Sequence, residues 1–318
     1  MDRILGVDGG ATRTVAMIAD IKSNFIMESE SGPSNYKSIG VKRAQKNINE
    51  VIFSLLNKLK KSLKENDQIF FSSSCFGLAG YDSDEDLGVY KKIVFNKEIK
   101  HLLNPEKVII CNDAMIGLSA GTENKNRIII ICGTGSNCYG INEYGIEARA
   151  GGWDYILNDE GSGFSIGVKA LKAAVKYYDG RGKDTLLLKT IFKNLGINTI
   201  GELMNCIYNP FSKEKIASLA KTVERTADLG DQVSIEILRE EALEAFYLIK
   251  AVVKKLRIEK LEFDCVLTGS VFKCEKYFTS ILVKKLKECH PRIRILPLKI
   301  KPVEGAIRLA IKSVTGLR

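Results

Sequence analysis

The chain has 318 residues, of which 45% are hydrophobic and 27% charged, and its formal net charge is +10. This composition is typical of globular proteins, and a length well above roughly 100–200 residues predicts two domains. The sequence shows no signal peptide and no apolar stretch long enough to span a bilayer, so we expect a cytoplasmic protein with no membrane partner.

The positive charge could indicate nucleic-acid binding. However, lysines and glutamates alternate, as in NKLKKSLKEN, and no arginine-rich run with aromatic residues is present. We therefore expect no nucleic-acid partner, although a positive field could attract an anionic small substrate such as a nucleotide. The eight cysteines are scattered without a CxxC pair, which predicts buried free thiols in a reducing compartment.

The first 120 residues predict one α/β domain. RILGVDGG, TVAMIAD and FIMESES are typical of three short strands joined by tight turns. Apolar residues at helical spacing predict an amphipathic helix over residues 41–66. A strand in IFFSSSCFGLAG, a helix over about residues 83–103 and a strand in KVIICNDA complete this half.

The same order of elements recurs after the polar turn GTENKNR, which we take as the boundary between domains 1–120 and 121–318. NRIIIICGTGSNCYGIN predicts a hairpin, IEARAGG a further strand, and residues 164–256 a run of helices. A strand in EFDCVLTGS, a helix, a strand in IRILPLK and a last helix from Val303 follow. A shared order with faint sequence similarity indicates two domains of the same kind.

A carboxylate and two glycines follow the first strand, in DGGATRT. Asp8 would project from the edge of the sheet where ligands bind in open α/β folds, and Gly9 and Gly10 would let the backbone approach a ligand closely. Thr12 and Thr14 add hydroxyl groups. This set suits a polyphosphate with Mg²⁺, although a plain type I′ hairpin turn remains an alternative.

Two further glycine turns occur in the second half. CGTGSN lies at the position that corresponds to DGGATRT, and the two turns could bind phosphates from both sides. CVLTGS ends a strand with Gly269 and Ser270, which could form a flat surface for a base or ribose, or an ordinary strand-to-helix turn. YYDGRGKDT is not a Walker loop, because it lacks the first glycine and the final hydroxyl of that motif.

Carboxylates mark two more segments. In IICNDA, Asp113 leaves an apolar strand and could orient an attacking hydroxyl and take its proton, or belong to an ordinary helix cap. GGWDYILNDEGSGF combines the single tryptophan, Trp153, with carboxylates that could bind sugar hydroxyls; a loop with a buried tryptophan is the alternative. Asp159 and Glu160 are adjacent and would point apart, which disfavours a catalytic acid/base pair.

Together these segments resemble the sugar-kinase branch of the actin/hexokinase/Hsp70 ATPase superfamily, in the group that joins N-acetylglucosamine kinases with BadF/BadG-type ATPases. GVDGGATRT and GTGSNC are similar to its two phosphate motifs, TGSVF to its adenosine motif, and GGWDYILNDEGS and GPSNYKSIG to its sugar-binding segments. The resemblance runs nearly end to end. It implies an α/β fold of two ribonuclease H-like (actin-like ATPase) domains with a central cleft.

The resemblance also implies ATP-dependent phosphorylation of the 6-hydroxyl of N-acetylglucosamine or a relative such as N-acetylmuramic acid, by a homodimer that uses ATP and Mg²⁺. Asp113 would be the general base, and Asp8 would hold Mg²⁺ through water. The implied ATP-binding residues are Asp8, Gly9, Gly10, Thr12, Thr14, Thr134, Gly135, Gly269 and Ser270. The implied sugar-binding residues are Asn35, Asp113, Ser136, Asn137, Gly152, Trp153, Asp154 and Asp159.

Three residues depart from the family pattern. Ala11 replaces a glycine and fits if its φ is negative, Arg13 replaces a lysine, and Asp154 replaces a small residue, which leaves its role open. Other functions of the same fold are a broad-specificity hexokinase or glucosamine kinase, a dehydratase-activator ATPase and a non-catalytic sugar sensor. An activator needs paired loop cysteines, and a sensor usually carries a DNA-binding domain; we find neither signal in this sequence.

Overall fold

The structure is a computed structural model that describes residues 2–61 and 69–316. It divides into two compact units, Met1–Glu123 with Leu298–Arg318, and Asn124–Pro297. Each unit contains one five-stranded mixed sheet.

The first unit is built on strands in the order β3-β2-β1-β4-β5. The three strands at one edge run antiparallel, whereas β4 lies parallel to β1 and β5 parallel to β4. The elements are β1 (Arg3–Gly9), β2 (Thr14–Asp20), β3 (Phe25–Ser31), α1 (Tyr36–Ile39), α2 (Val41–Lys60), β4 (Phe71–Leu78), α3 (Asp84–Val94), β5 (Val108–Asn112) and α4 (Asp113–Gly121).

The second unit repeats this plan, with strands in the order β10-β9-β6-β7-β8. Again three strands form an antiparallel meander, and two strands extend the sheet in parallel from the first strand of the meander. Its strands are β6 (Arg127–Cys132), β7 (Ser136–Ile141), β8 (Glu147–Gly151), β9 (Phe263–Thr268) and β10 (Ile293–Pro297). The repeated order confirms the prediction of two α/β halves of the same kind.

Helices fill the long segment between β8 and β9, as the sequence predicts. They are α5 (Asp154–Leu157), α6 (Gly163–Tyr178), α7 (Leu187–Leu195), α8 (Ile200–Tyr208), α9 (Lys213–Ser218), α10 (Ala220–Asp228) and α11 (Gln232–Leu256). Helix α12 (Ser280–Cys289) follows β9, and α13 (Pro302–Thr315) ends the chain. In the described part of the chain, no helix combines the length and the apolar character needed to cross a bilayer.

One predicted helix is shorter than expected, and the end of another cannot be compared because it lies outside the described residues. The described part of α2 ends at Lys60, and residues 62–66 of the predicted helix lie outside the described residues. Helix α3 ends at Val94 instead of continuing to residue 103, and short 3₁₀ turns follow. Asn96 explains this end, because its amide donates to the Ile93 carbonyl at 2.8 Å and accepts from the Glu98 N–H at 2.9 Å. Such side-chain bonds compete with the helix ladder.

The last helix packs in the first unit, whereas the predicted domain 121–318 includes it in the second. Two glycines allow the backbones to approach closely at this contact. A Cβ on Gly305 would lie 1.9 Å from the Ile116 carbonyl oxygen, and a Cβ on Gly6 would lie 2.9 Å from the Val303 carbonyl oxygen. Helix α13 therefore lies directly against β1 and α4. The order of elements along the sequence does not reveal that the last helix packs in the first unit.

Candidate active site

The turn after β1 is shaped by close packing around Gly9. A Cβ on this residue would lie 2.4 Å from Ser34 Oγ, so only glycine fits. The turn itself is closed by a hydrogen bond from the Gly10 N–H to the Arg13 carbonyl at 2.9 Å. Ala11 is not among the described non-glycine residues with positive φ, which explains how alanine is accommodated here.

The two threonines of this turn differ in their surroundings. Thr12 is exposed. Thr14 is fully buried, and its hydroxyl donates to the Gly32 carbonyl at 2.8 Å. The Thr14 hydroxyl therefore supports the turn, and the nucleotide contact that the sequence motif implies stays a prediction.

Asp113 lies at the exit of β5, as the first residue of α4. The preceding residue, Asn112, caps the helix by accepting from the Ala114 N–H at 2.9 Å, and its amide donates to the Tyr81 carbonyl at 2.8 Å. Asn112 thus performs the capping that was the alternative reading of this segment. The N-cap residue of α4 is therefore Asn112 and not Asp113.

Asp8 and Asp113 form a pair of interacting carboxylates at the same edge of the sheet. Burial, and then the charge of Asp113, raise the pKa of Asp8 to about 7, and Arg13 opposes this only partly. Burial raises the pKa of Asp113 to about 6, with the Ala114 N–H opposing and Asp82 adding to the rise. Both groups therefore titrate near neutral pH, which is unusual for aspartate and is typical of functional sites.

Asn35 also lies in the first unit, at the start of α1. Its side-chain oxygen accepts from the Lys37 N–H at 3.0 Å. Gly80 lies against it: φ is +84°, and a Cβ there would lie 2.5 Å from Asn35 Oδ1. The loop that follows β4 therefore needs glycine in order to bring Asn35 this close.

In the second unit, the turn between β6 and β7 joins two motifs that are distant in sequence. Asp159 Oδ1 accepts from the Ser136 N–H at 3.0 Å, and Ser136 Oγ donates to the Glu160 carbonyl at 2.7 Å. A Cβ on Gly135 would lie 2.8 Å from Asp159 Oδ1. The glycine turn and the NDEGS segment are thus one structural site.

Asn137 Oδ1 is a buried acceptor in this site that has no hydrogen-bond donor in the described structure. The buried Asp159 Oδ2 lies 2.6 Å from the ammonium of Lys213 and pairs with it. Gly152, with φ +73°, packs beside Asn137, because a Cβ there would lie 3.1 Å from Asn137 Cγ. Buried polar atoms are normally hydrogen-bonded, so Asn137 Oδ1 is suited to accept from a ligand hydroxyl.

Trp153 is 54% exposed, so the alternative of a buried tryptophan is wrong. The guanidinium carbon of Arg149 lies 4.1 Å from the centre of its ring, so one face of the indole carries a stacked cation. Asp154, the next residue, has φ +68° and an exposed carboxylate. That carboxylate contacts Lys213 Nζ at 2.6 Å.

A cavity of about 250 Å³ adjoins the glycine turn of the second unit. Thr134 and Ser270 line it, and both are sequence-predicted ATP-binding residues. Gly269 has φ +117°, and a Cβ there would lie 2.2 Å from the Cys132 carbonyl oxygen, so this strand exit requires glycine. Sequence reasoning missed the charged wall of the cavity, which is formed by Glu214, Lys221 and Glu224.

The thiols fit the sequence prediction in part. All eight cysteines are free; six are buried, Cys206 is half-buried and Cys289 is exposed. Within residues 2–61 and 69–316, no cluster of three or more His, Cys, Asp or Glu side chains could hold a metal ion by itself.

Two units with the same strand order, each with a polar glycine turn after its first strand, have the fold of the actin-like, ribonuclease H-like class. The chain belongs to the BadF/BadG/BcrA/BcrD ATPase family, which it matches over residues 5–310.

Relatives that match almost the whole chain are sugar kinases by name. The chain is 37% identical to an N-acetylmuramic acid/N-acetylglucosamine kinase of Clostridium acetobutylicum over 98% of each chain. It is 33% identical to an N-acetyl-D-glucosamine kinase of Dictyostelium discoideum, over 97% of this chain and 98% of that one. Among solved structures, a ROK family glucokinase from Streptomyces griseus, in complex with glucose and AMPPNP, shares the fold. Its TM-score is 0.56 at 15% identity, over 97% of this chain and 98% of that one.

Proposed function

We propose that this protein is an ATP-dependent kinase that phosphorylates the 6-hydroxyl of N-acetylglucosamine or a close relative such as N-acetylmuramic acid. The observation that carries the proposal is Asp113, a half-buried carboxylate at the exit of β5 whose pKa is raised to about 6. A base with a pKa close to the working pH is suited to accept a proton from an alcohol as it attacks. The two kinases that match nearly the whole chain support the choice of an amino sugar.

In the proposed reaction, Asp113 orients the sugar hydroxyl and accepts its proton while the oxygen forms a bond to the γ-phosphorus of ATP. The bond between that phosphorus and the β–γ bridging oxygen breaks, and its electron pair leaves with ADP. Catalysis of this kind consists mainly of positioning and of charge stabilisation. Asp113 supplies the positioning, and backbone N–H groups of the glycine turns supply hydrogen bonds to the phosphate oxygens.

The nucleotide-binding residues in this proposal come from three turns. Gly9, Gly10 and Thr12 would contact phosphate oxygens, as would Thr134 and Gly135 in the second unit. Gly269 and Ser270 would contact the adenosine, and the cavity that Ser270 and Thr134 line supports this assignment.

The carboxylates of this site are suited to a Mg²⁺ ion whose other ligands are water and phosphate oxygens. No cluster of three protein ligands occurs in the described ranges, and Mg²⁺ in phosphotransfer enzymes is typically held by one or two carboxylates together with substrate phosphates. Asp8 would hold the ion through water, and the raised pKa of this residue indicates a carboxylate that a nearby cation would favour. When bound, Mg²⁺ neutralises charge on the phosphates.

The sugar-binding residues would include Ser136, Asn137, Gly152 and Asp159 in the second unit, together with Asn35 in the first. The unsatisfied Oδ1 of Asn137 would accept a hydrogen bond from a ring hydroxyl. Trp153 would offer the exposed part of its indole to the sugar ring.

We propose that the range of substrates includes N-acetylmuramic acid. N-acetylmuramic acid carries a carboxylate on its lactyl ether, and the net charge of +10 would favour such an anion.

We also propose that the enzyme is a cytoplasmic homodimer without a nucleic-acid partner, acting in the recycling of cell-wall amino sugars. Light scattering that gives only the mass of one 35.3 kDa chain would contradict the dimer.

A coupled assay of ADP release tests the proposed activity. It compares glucose, glucosamine, N-acetylglucosamine, N-acetylmannosamine and N-acetylmuramic acid at matched concentrations. We expect kcat/KM to be highest for N-acetylglucosamine or N-acetylmuramic acid. A higher kcat/KM for glucose or glucosamine would instead indicate a broad hexokinase or glucosamine kinase.

A further inference from the structure

Lys213, the first residue of α9, contacts two carboxylates that belong to the candidate sugar site. Its Nζ lies 2.6 Å from Asp154 Oδ1 and 2.6 Å from Asp159 Oδ2. The side chain is only 22% exposed, and the ammonium also lies 5.7 Å and 5.9 Å from the ring centres of Tyr155 and Phe164. None of the motifs in the sequence includes this lysine.

The contact with Asp159 compensates a buried charge. Asp159 is 6% exposed, and a buried carboxylate without a partner is strongly destabilising. Its two oxygens are used differently: Oδ1 accepts the Ser136 N–H, whereas Oδ2 pairs with the ammonium without an aligned hydrogen bond. The carboxylate is therefore held from two sides.

The contact with Asp154 cannot be explained by burial in the same way, because this side chain is 69% exposed and could remain in water. It nevertheless adopts φ +68°, which is uncommon outside glycine, and places its carboxylate on the lysine. Burial alone would raise the pKa of Asp154, but the hydrogen bonds from Lys213 and the Tyr155 N–H lower it. The charge pair is therefore favourable in the folded protein.

The segment that Asp154 belongs to has few other attachments. Gly151 and Gly152 also have positive φ, so three of four consecutive residues adopt the left-handed region before α5. Ile156 and Leu157 are 81% and 77% exposed. Tyr155 alone among the apolar residues of α5 packs on other rings, those of Phe164 and Phe211.

We propose that Lys213 is a positioning residue that fixes Asp159 for the sugar and, through Asp154, fastens the segment Trp153–Leu157 beside it. The part that concerns sugar binding rests on the proposed function, whereas the fastening of the segment does not. Asp154 then acts through Lys213 rather than by touching the sugar, which gives this carboxylate a role in the site.

Fluorescence of Trp153 tests the fastening directly, because it is the only tryptophan in the chain. Time-resolved anisotropy without any ligand would be compared among wild type, Lys213→Met, Asp154→Asn and the control Lys183→Met. Lys183 pairs with Glu236 at 2.7 Å on the surface and provides a matched loss of one ion pair. We expect a larger amplitude of nanosecond motion in Lys213→Met and in Asp154→Asn but not in the control. Asp154→Asn removes no buried group, so it still tests the fastening of the segment if Lys213→Met fails to fold.

Steady-state kinetics tests the effect on Asp159. Loss of one partner of a buried charge pair predicts that KM for the amino sugar rises roughly 10–100-fold in Lys213→Met, with KM for ATP unchanged and kcat changed much less. Lys213→Arg should restore most of the affinity, and Asp154→Asn should raise KM less than Lys213→Met, because the Asp159 contact remains.

The outcomes separate the two proposals. If the wild type phosphorylates no amino sugar, the proposed function fails, and the anisotropy still decides whether Lys213 fastens Trp153. If both variants show the anisotropy of the control, or if Lys213→Met lowers kcat and raises both KM values together with a loss of thermal stability, the positioning role is overturned.

Discussion

Replacement of Asp113 by asparagine separates the catalytic role of this residue from its structural cost. The side chain keeps its shape but can no longer accept the proton of the sugar hydroxyl. We expect kcat to fall roughly 10²–10⁴-fold, as is typical when a general base is removed, with a much smaller change in sugar affinity. A variant that keeps wild-type turnover would refute the assignment of Asp113 as the base.

The same substitution should make the folded protein more stable at pH 7. Because burial raises the pKa of Asp113 from 3.8 to about 6, ionisation is less favourable in the folded than in the unfolded state. The contribution of Asp113 to the free energy of unfolding is therefore fully present below pH 4 and is lost as pH rises through about 6. The pKa difference corresponds to at most about 3 kcal/mol at pH 7, and half-burial reduces this figure.

Urea denaturation of wild type and Asp113→Asn at several pH values measures this effect. The variant should be the more stable protein at pH 7, and the gap should shrink as pH falls towards 4. A variant that is less stable than wild type at pH 7 would show that the ionised carboxylate is favourably bound in the fold, and would refute the reasoning from burial.

Three further predictions concern the site and its turns. In the pH profile, kcat/KM should rise as pH increases through about 6 and then level off, since Asp113 must be deprotonated to act; a profile that falls through this range would contradict the role. Gly9→Ala should lower the free energy of unfolding, measured by urea denaturation, by about 1–3 kcal/mol, because its Cβ would lie 2.4 Å from Ser34 Oγ. The control Gly88→Ala has open space around the new Cβ and should raise the free energy of unfolding by about 0.4–1 kcal/mol. Gly269→Ala should raise KM for ATP more than KM for the sugar, because φ +117° and the Cys132 carbonyl at 2.2 Å force the strand exit to move; equal changes in both values would count against an adenosine contact.

Local patterns predicted much of the fold. Alternation and tight turns placed the strands of both meanders, and the recurring order of elements anticipated the repeated sheet. The glycine turns were also predictable, because Gly9, Gly135 and Gly269 can be recognised in the sequence. The atoms that leave no room for a Cβ there are side-chain atoms at Gly9 and Gly135 and the Cys132 backbone at Gly269.

Features that depend on distant partners could not be predicted in the same way. Nothing in the sequence of α13 indicates that it packs on β1, because its apolar face would suit either sheet. Thr14 belongs to a phosphate motif, yet its hydroxyl is used by Gly32, which lies 18 residues further along the chain. Lys213 is 54 residues from Asp159, so only the tertiary structure shows that one lysine serves two carboxylates of a motif.

The central claim is that the protein transfers the γ-phosphoryl group of ATP to the 6-hydroxyl of an amino sugar. Mass spectrometry and phosphorus NMR of the product, with N-acetylglucosamine and its 6-deoxy analogue as paired substrates, test this most directly. The account predicts N-acetylglucosamine 6-phosphate and stoichiometric ADP from the first sugar, and no phosphorylated product from the second. A phosphate on any other oxygen, or ATP hydrolysis at the same rate with neither sugar phosphorylated, would contradict it.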